Sequence, residues 1–421
     1  MFDADRWNEI FYTLKKNKLR TFFTAFGVFW GIFMLVIMMG SGNGLRNAIL
    51  ADFGNMATNS VFMWTQRTTM PYKGFQRGRY FNFRNNDTRA LKEKIPEIDL
   101  VAPRIQAWGG GGANNVIRND RTSSFTIFGD YPEIQRIDPL NLLEGRFINH
   151  LDIDQRRKVA VIGAKVKNDL FEPGEDPIGE YLKIQGVYFQ VVGVFESKKS
   201  DQQAERENQV IFLPFTSLQQ TYNYGDIVGW YAFTSHRDVP ASVVEAKAKK
   251  LLAERHGIHP EDQRAIGSFN LEKEFNKMTG LFTGIHILIW IVGAGTLFAG
   301  VVGVSNIMLI VVRERTKEIG IQRAIGATPW NIMIQVIIES VILTTAAGYI
   351  GLVVGVGILE GVNVAMAKTG TSSNMFRNPE IDFQMAMVAL AILVLSGVIA
   401  GLIPARRAVS IKPIDAIRFE Y

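Results

Sequence analysis

The 421-residue sequence contains no cysteine. A disulfide framework and a thiolate-ligated metal site are therefore excluded, and oxidising and reducing compartments are equally open to it. Histidine is scarce: the five histidines (His150, His236, His256, His259, His286) are scattered, and only His256 and His259 stand close together. That H-x-x-H pair beside Pro260 reads as a solvated turn rather than a metal site. The G-x-x-x-x-G-K-[ST] pattern, whose loop and lysine cradle nucleotide phosphates, does not occur in the sequence. The four-glycine run Gly109–Gly112 lacks the Lys-Ser/Thr that would complete such a loop, so it reads as a flexible connection.

What is present is unevenly distributed. Hydrophobic residues make up 47% of the chain and the mean hydropathy is +0.08. Very apolar blocks alternate with an ordinary polar middle, which points to a membrane protein with a large soluble portion. Residues 1–20 carry five basic against three acidic residues, and 313–323 and 404–421 each carry four against two. These three pieces account for the whole net charge of +6. The excess sits beside apolar runs, as the positive-inside rule expects of cytoplasmic flanks, and not where a nucleic-acid binder would need it.

Four spans follow from these blocks. Trp7, Ile10, Phe11 and Leu14 recur at helical spacing, so 1–20 is expected to be a cytoplasmic amphipathic lead lying on the inner surface. An uncharged run, 21–44, is long enough to cross the bilayer and exceeds a signal-peptide core, so it reads as an uncleaved first span. Between 45 and 277 lies an extracytoplasmic domain of α+β type, with strands expected at Val159–Gly163, Tyr188–Phe195 and Val210–Leu213 and a helix at Val243–Arg255. The 35 charge-free residues 278–312 make about 50 Å of helix, well beyond the hydrocarbon core, so the second span should rise toward that domain. A charged hinge, 313–329, precedes a third span at 330–359. A loop without positive bias, 360–382, faces outward, and the fourth span, 383–403, leads into a tail at 404–421. Both termini are then cytoplasmic, and the fold is a four-helix membrane protein with an α+β domain inserted between the first and second helices.

The hinge is short and charged, so lipid cannot bury it. Ile321, Ala324, Ile325 and Thr328 recur at i, i+3, i+4, i+7, while Lys317, Glu318, Gln322 and Arg323 fill the other faces. Gly326 suits a C-terminal cap, Thr328 an N-cap and Pro329 the first turn of the next helix. Spacing alone is equally compatible with an ordinary re-entry loop. Glu339 is the one ionisable residue within a span, and a polar partner on a neighbouring helix is expected for it rather than a proton relay. Gly27-x-x-x-Gly31 and Gly351-x-x-x-Gly355 permit close helix approach, either at a dimer seam or within one chain.

The run Arg313–Gly357 resembles the permease module of the FtsX/MacB family of ATP-binding-cassette systems. The loop between that family's second and third spans carries E-R-T-x-E-I-G-I-x-x-A-x-G-A, which stands here as Glu314, Arg315, Thr316, Glu318, Ile319, Gly320, Ile321, Ala324, Gly326 and Ala327. The opening Asn17–Gly27, the endings Gly401–Ala408 and Lys412–Ile417, and the stretch Val159–Gly193 of the inserted domain are similar to the family as well. The resemblance implies a permease that is not itself the enzyme. ATP and Mg would be held by a separate ATPase subunit, with no cofactor in this chain, and Leu395-Ser-Gly397 within the fourth span is no ATPase signature.

It also implies pairing with a second permease copy, as homo- or heterodimer. Arg313, Glu314, Arg315, Lys317, Glu318 and Arg323 would make polar contacts to the ATPase, and Ile319 and Ile321 apolar ones. The implied action is mechanotransmission in a Gram-negative inner membrane, driving export of a drug, peptide or toxin with a periplasmic adaptor and an outer-membrane duct. Lipoprotein release or control of a cell-wall hydrolase is the alternative within the superfamily, and an ATP-independent sensor the alternative outside it.

Overall fold

The computed structural model of the protein describes residues 18–52, 56–108, 115–199, 201–369, 378–380 and 383–411. The lead with Trp7, Ile10, Phe11 and Leu14, the Gly109–Gly112 run and the Lys412–Ile417 stretch lie outside the described residues. The chain divides into two compact units, Met1–Ile49 with Leu281–Tyr421, and Leu50–Gly280.

Among the described residues four helices are long and apolar enough to cross a membrane, Lys18–Asp52, Leu271–Glu314, Pro329–Thr369 and Phe383–Val409, and the greater part of each lies in the first unit. Each outruns the apolar block that announced it. The second helix is one element of 44 residues, roughly 66 Å at 1.5 Å per residue and more than twice the hydrocarbon core. It begins upstream of the charge-free stretch because Asn270 caps it. The Asn270 side chain accepts from Lys273 N at 3.0 Å, and Glu272 and Glu274 sit in the first turn, where the helix dipole favours negative charge. The third helix likewise continues through Glu360 to Thr369, with Lys368 in its last turn, into what the sequence presents as loop.

These helices touch backbone to backbone at glycines. A Cβ placed on Gly300 would meet the Gly27 backbone at 3.2 Å, and one on Gly351 would meet Phe29 O at 2.6 Å. The first helix is thus gripped by the second helix and by the third. Gly397 and Gly401 of the fourth helix press on Val341 and Ile337 of the third. The buried hydroxyls of Ser340, Thr344 and Ser396 donate back to the carbonyls of Val336, Ser340 and Leu393, which satisfies them where water is absent.

The inserted unit is a mixed α/β body around a 12-stranded sheet. Its central strands, Val159–Gly163 and Val210–Pro214, are buried at every position, so they read as unbroken apolar runs rather than alternating ones. Parallel pairing joins Val159–Gly163 to Val187–Glu196 and Val210–Pro214 to Thr126–Asp130; the remaining pairings are antiparallel. The helix Ala241–Arg255 buries Ala241, Val244, Ala248 and Leu252, spaced to form one stripe against the sheet. Its end is tied to the helix Asn85–Lys94 through Asp87, which takes hydrogen bonds from Arg255 Nε (2.6 Å) and Arg84 N (2.9 Å) and faces His256 Nε2 at 2.7 Å.

His256 therefore does not sit in a solvated turn as the sequence suggests: it is packed against a buried carboxylate. His259 goes its own way, edge-on to Tyr72 with ring centroids 5.3 Å apart. Among the described residues no group of three His, Cys, Asp or Glu side chains could hold a metal ion.

Candidate functional site: the hinge after the second helix

The second helix does not run straight into the hinge. Arg315 leaves helical geometry (φ −92, ψ 10) and a new helix, Thr316–Ala324, begins. The hydroxyl of Thr316 donates to the carbonyls of Arg313 (2.7 Å) and Val312 (3.2 Å), a back-bond of the kind that bends helices. At the far end Gly326 takes φ +109, a backbone region that favours glycine. Ala327 N donates to Gln322 O and Gly326 N to Arg323 O, the paired bonds of a Schellman cap. Asn331 N then reaches Thr328 Oγ1 at 3.4 Å, and Pro329 opens the third helix. The hinge is thus a capped nine-residue helix between two defined turns.

Its inward side is fastened at two points. Arg315 Nη1 lies 3.5 Å from Glu339 Oε2 on the third helix, and Arg315 Nε lies 3.5 Å from Glu318 Oε2. Arg323 Nη1 donates to the carbonyls of Val409 and Ile411 at 2.7 Å each, occupying acceptors that the end of the fourth helix leaves open. Ile319 and Gly320 are buried between these anchors.

Arg313, Glu314, Lys317 and Glu318 face outward, together with Ile321 at 43% and Ile325 at 83% exposure. This corrects the sequence reading in three ways. The Ile321, Ala324, Ile325, Thr328 stripe is the exposed face, and the buried side is the one carrying Ile319 and Gly320. Ile319 is 7% exposed and packs within the helical unit, so it is not open to a partner. Arg315 and Arg323 are turned inward onto Glu339 and the end of the fourth helix. Period alone cannot tell which of two apolar faces a surface helix presents, and here the fasteners decide it.

Glu339 is 4% exposed, and the Arg315 guanidinium of the hinge lies 3.5 Å from its carboxylate. All four glycines singled out for close packing are used within the chain. Gly27 and Gly31 abut Gly300 and Leu297 of the second helix, and Gly351 and Gly355 abut Phe29 and Val36 of the first. Within-chain packing thus accounts for the close approach at these four positions: their near neighbours are this chain's own backbone and side chains.

A second feature escaped the sequence reading. An open groove of about 610 Å³ on the inserted unit is lined by Phe62, Trp64, Trp108, Tyr224 and Trp230 among others. Sheet register makes it, since Trp64 and Trp230 are direct cross-strand partners. Tyr224 Oη bonds both the N–H and the carbonyl of Trp108, at 2.6 and 3.0 Å, so the rim is pinned by main chain.

Two family models match the chain: the MacB-like periplasmic core domain over residues 21–250 and the FtsX-like permease C-terminal over 290–413. The macrolide export ATP-binding/permease protein MacB of Chlorobaculum tepidum is 31% identical over 418 residues, covering 98% of this chain and 61% of that protein. MacB of a Shewanella species is 29% identical over 420 residues, with 99% and 61% covered. The pyoverdine export ATP-binding/permease protein PvdT of Pseudomonas entomophila is 28% identical over 405 residues, with 96% and 58% covered. The chain spans about three fifths of the length of the curated relatives it matches. Both matched models describe permease-type domains, and the hinge with its capped helix falls inside the second of them. With four apolar helices, a periplasmic-type domain inserted after the first and a permease module running from the second onward, this chain belongs to the FtsX/MacB family of permeases.

Proposed function

We propose that this chain is the permease part of an exporter in which a partner ATPase drives movement of the periplasmic domain. The observation that carries the reading is the two-sidedness of the hinge. Its inward side is bonded to the third and fourth helices through Arg315 and Arg323, while its outward side offers exposed Ile321 and Ile325 among Lys317, Glu318 and Arg313. Exposed isoleucines ringed by charge make a small docking patch of the apolar-centre, polar-rim kind. Closure of an ATPase pair against that patch would reach the second helix directly, because the hinge starts one residue beyond it.

In this reading the hinge and both termini are cytoplasmic, the basic flanks lie inside, and the protein sits in the inner membrane. ATP and Mg belong to the ATPase, and two permease copies face one another. Drug, peptide or siderophore-like cargo would be moved from the periplasm toward an adaptor and an outer-membrane duct. Work is done by mechanotransmission, without a hydrophilic path through the spans. Support for that comes from Glu339, the acid buried in the third helix, which faces Arg315 instead of lining a channel.

The deciding experiment is purification of the full chain from its native membrane, followed by an ATPase assay on what accompanies it. A bound nucleotide-hydrolysing subunit whose turnover responds to the permease is the expected result. Purification without any associated ATPase would sink the exporter reading and leave the sensor.

A further inference from the structure

A second surface lies where the hinge begins, between the ends of the second and fourth helices. The last turns of the second and fourth helices enclose an open groove of about 800 Å³. Arg313 comes from the second helix and Arg406 and Arg407 from the fourth, and all three line the groove. Its walls include Leu309, Ile310 and Ile403, of which Ile310 is 44% and Ile403 is 61% exposed. No acidic residue lines it, and among the described residues none of the three arginines makes an ion pair. The groove is therefore cationic at one end and apolar at the other, and it sits where two membrane-crossing helices finish.

Two helix C-termini contribute about half a negative charge each, which three full guanidinium charges outweigh. The local field therefore favours an anion. A soluble anion would gain nothing from Ile310 and Ile403, whereas an acyl chain continuing from a bound phosphate would cover them. Arginine forks match phosphate oxygens, and basic pockets between spanning helices at the membrane surface suit acidic headgroups.

We propose that this groove binds an anionic phospholipid, with its phosphate held by Arg313, Arg406 and Arg407 and its chains along Ile310 and Ile403. The groove shares Arg313 with the docking face, but its other two arginines, Arg406 and Arg407, lie on the fourth helix, so the inference does not require any particular protein on the hinge. Its consequence is that the junction of the second helix with the hinge senses the acidic-lipid content of the membrane.

The test uses the full chain in nanodiscs of phosphatidylcholine doped with phosphatidylglycerol that carries a photo-crosslinkable acyl chain. Equally labelled phosphatidylcholine serves as the comparison. Crosslinks at Ile310 and Ile403 should favour phosphatidylglycerol by about fivefold per arginine, on the order of a hundredfold in all. The triple variant R313Q/R406Q/R407Q should lose that preference, and R313K/R406K/R407K should keep most of it. Equal labelling by the two lipids on the unmodified chain would overturn the proposal without any variant. So would an unchanged Gln variant, or labelling abolished because another protein covers the groove. Displacement by inorganic phosphate without any headgroup preference would assign the groove to a soluble anion instead.

Discussion

Arg315 and Glu339 stand 24 residues apart in sequence and 3.5 Å apart in space, with the carboxylate side chain only 5% exposed. A carboxylate at that depth is costly without a cation beside it. Arg315→Ala should therefore destabilise the helical unit by about 3–5 kcal/mol, because it removes the cation that faces a buried carboxylate. Glu339→Gln, which removes the charge while leaving Arg315 beside Glu318, should cost only about 1–3 kcal/mol. Combining the two should recover part of the loss. Thermal melts of the four proteins in one detergent make the comparison, and additive losses would mean the pair does not interact.

The outward isoleucines should behave in the opposite way. Ile321→Asp and Ile325→Asp remove nothing the fold uses, so stability should change by no more than about 0.5 kcal/mol. ATPase binding should weaken by on the order of a hundredfold or more for the pair, given about 1.5–3 kcal/mol for each isoleucine buried. Ile319→Ala is the control: it should cost about 2–5 kcal/mol of stability. An ATPase that still co-purifies with the doubly substituted chain would refute the docking face.

Gly351 distinguishes packing inside the chain from packing between copies. Gly351→Val places atoms against the Phe29 backbone, 2.6 Å from where the Cβ would sit, and should cost about 1–3 kcal/mol or more. Gly357→Ala, on the same helix with open space around it, should be close to neutral. A Gly351 variant that keeps its stability but changes oligomeric state would place this position at a seam between copies after all.

The inserted unit should be acid-labile in a defined sense. Burial pushes the Asp87 carboxyl up, but hydrogen bonds from His256, Arg255 and the Arg84 amide outweigh it and hold the group below the usual carboxylate range. Asp152 is held low in the same way, with burial offset by Arg146 and the Asn149 amide. A depressed folded-state value means the fold binds the proton less tightly than the unfolded chain does. The stabilisation is complete above the unfolded value of about 3.9 and is lost as pH falls through the lower, folded one. Tryptophan fluorescence melts of the full chain should show this decline, and Asp87→Asn should flatten it. An unaltered acid profile in that variant would remove Asp87 from the account.

The parts of the hinge legible in the sequence are those fixed by neighbours along the chain. Gly326, Thr328 and Pro329 announce a cap and a restart because left-handed backbone, an N-cap hydroxyl and a fixed φ are local requirements. The facing of the hinge helix was not legible, because Ile319 and Ile321 are equally apolar and the choice between them rests on Glu339 and on the end of the fourth helix. The same limit hides the aromatic groove, since Trp64 and Trp230 meet only through strand register. Helix ends lie beyond the apolar run wherever a cap outreaches it, as Asn270 does.

Arg323 has a wider consequence. The nine-residue hinge helix follows the second helix after one residue, is paired to the third through Arg315, and is tied to the end of the fourth through a single guanidinium. Bodies joined in a closed ring cannot shift independently: displacing one member moves the others along a restricted path, as in a jointed linkage. A spin label at Ile411 should therefore report a push applied at Ile325, although the two residues belong to different helical segments and the push never touches the label. Cutting the ring at Arg323 would silence that report while leaving every helix in place.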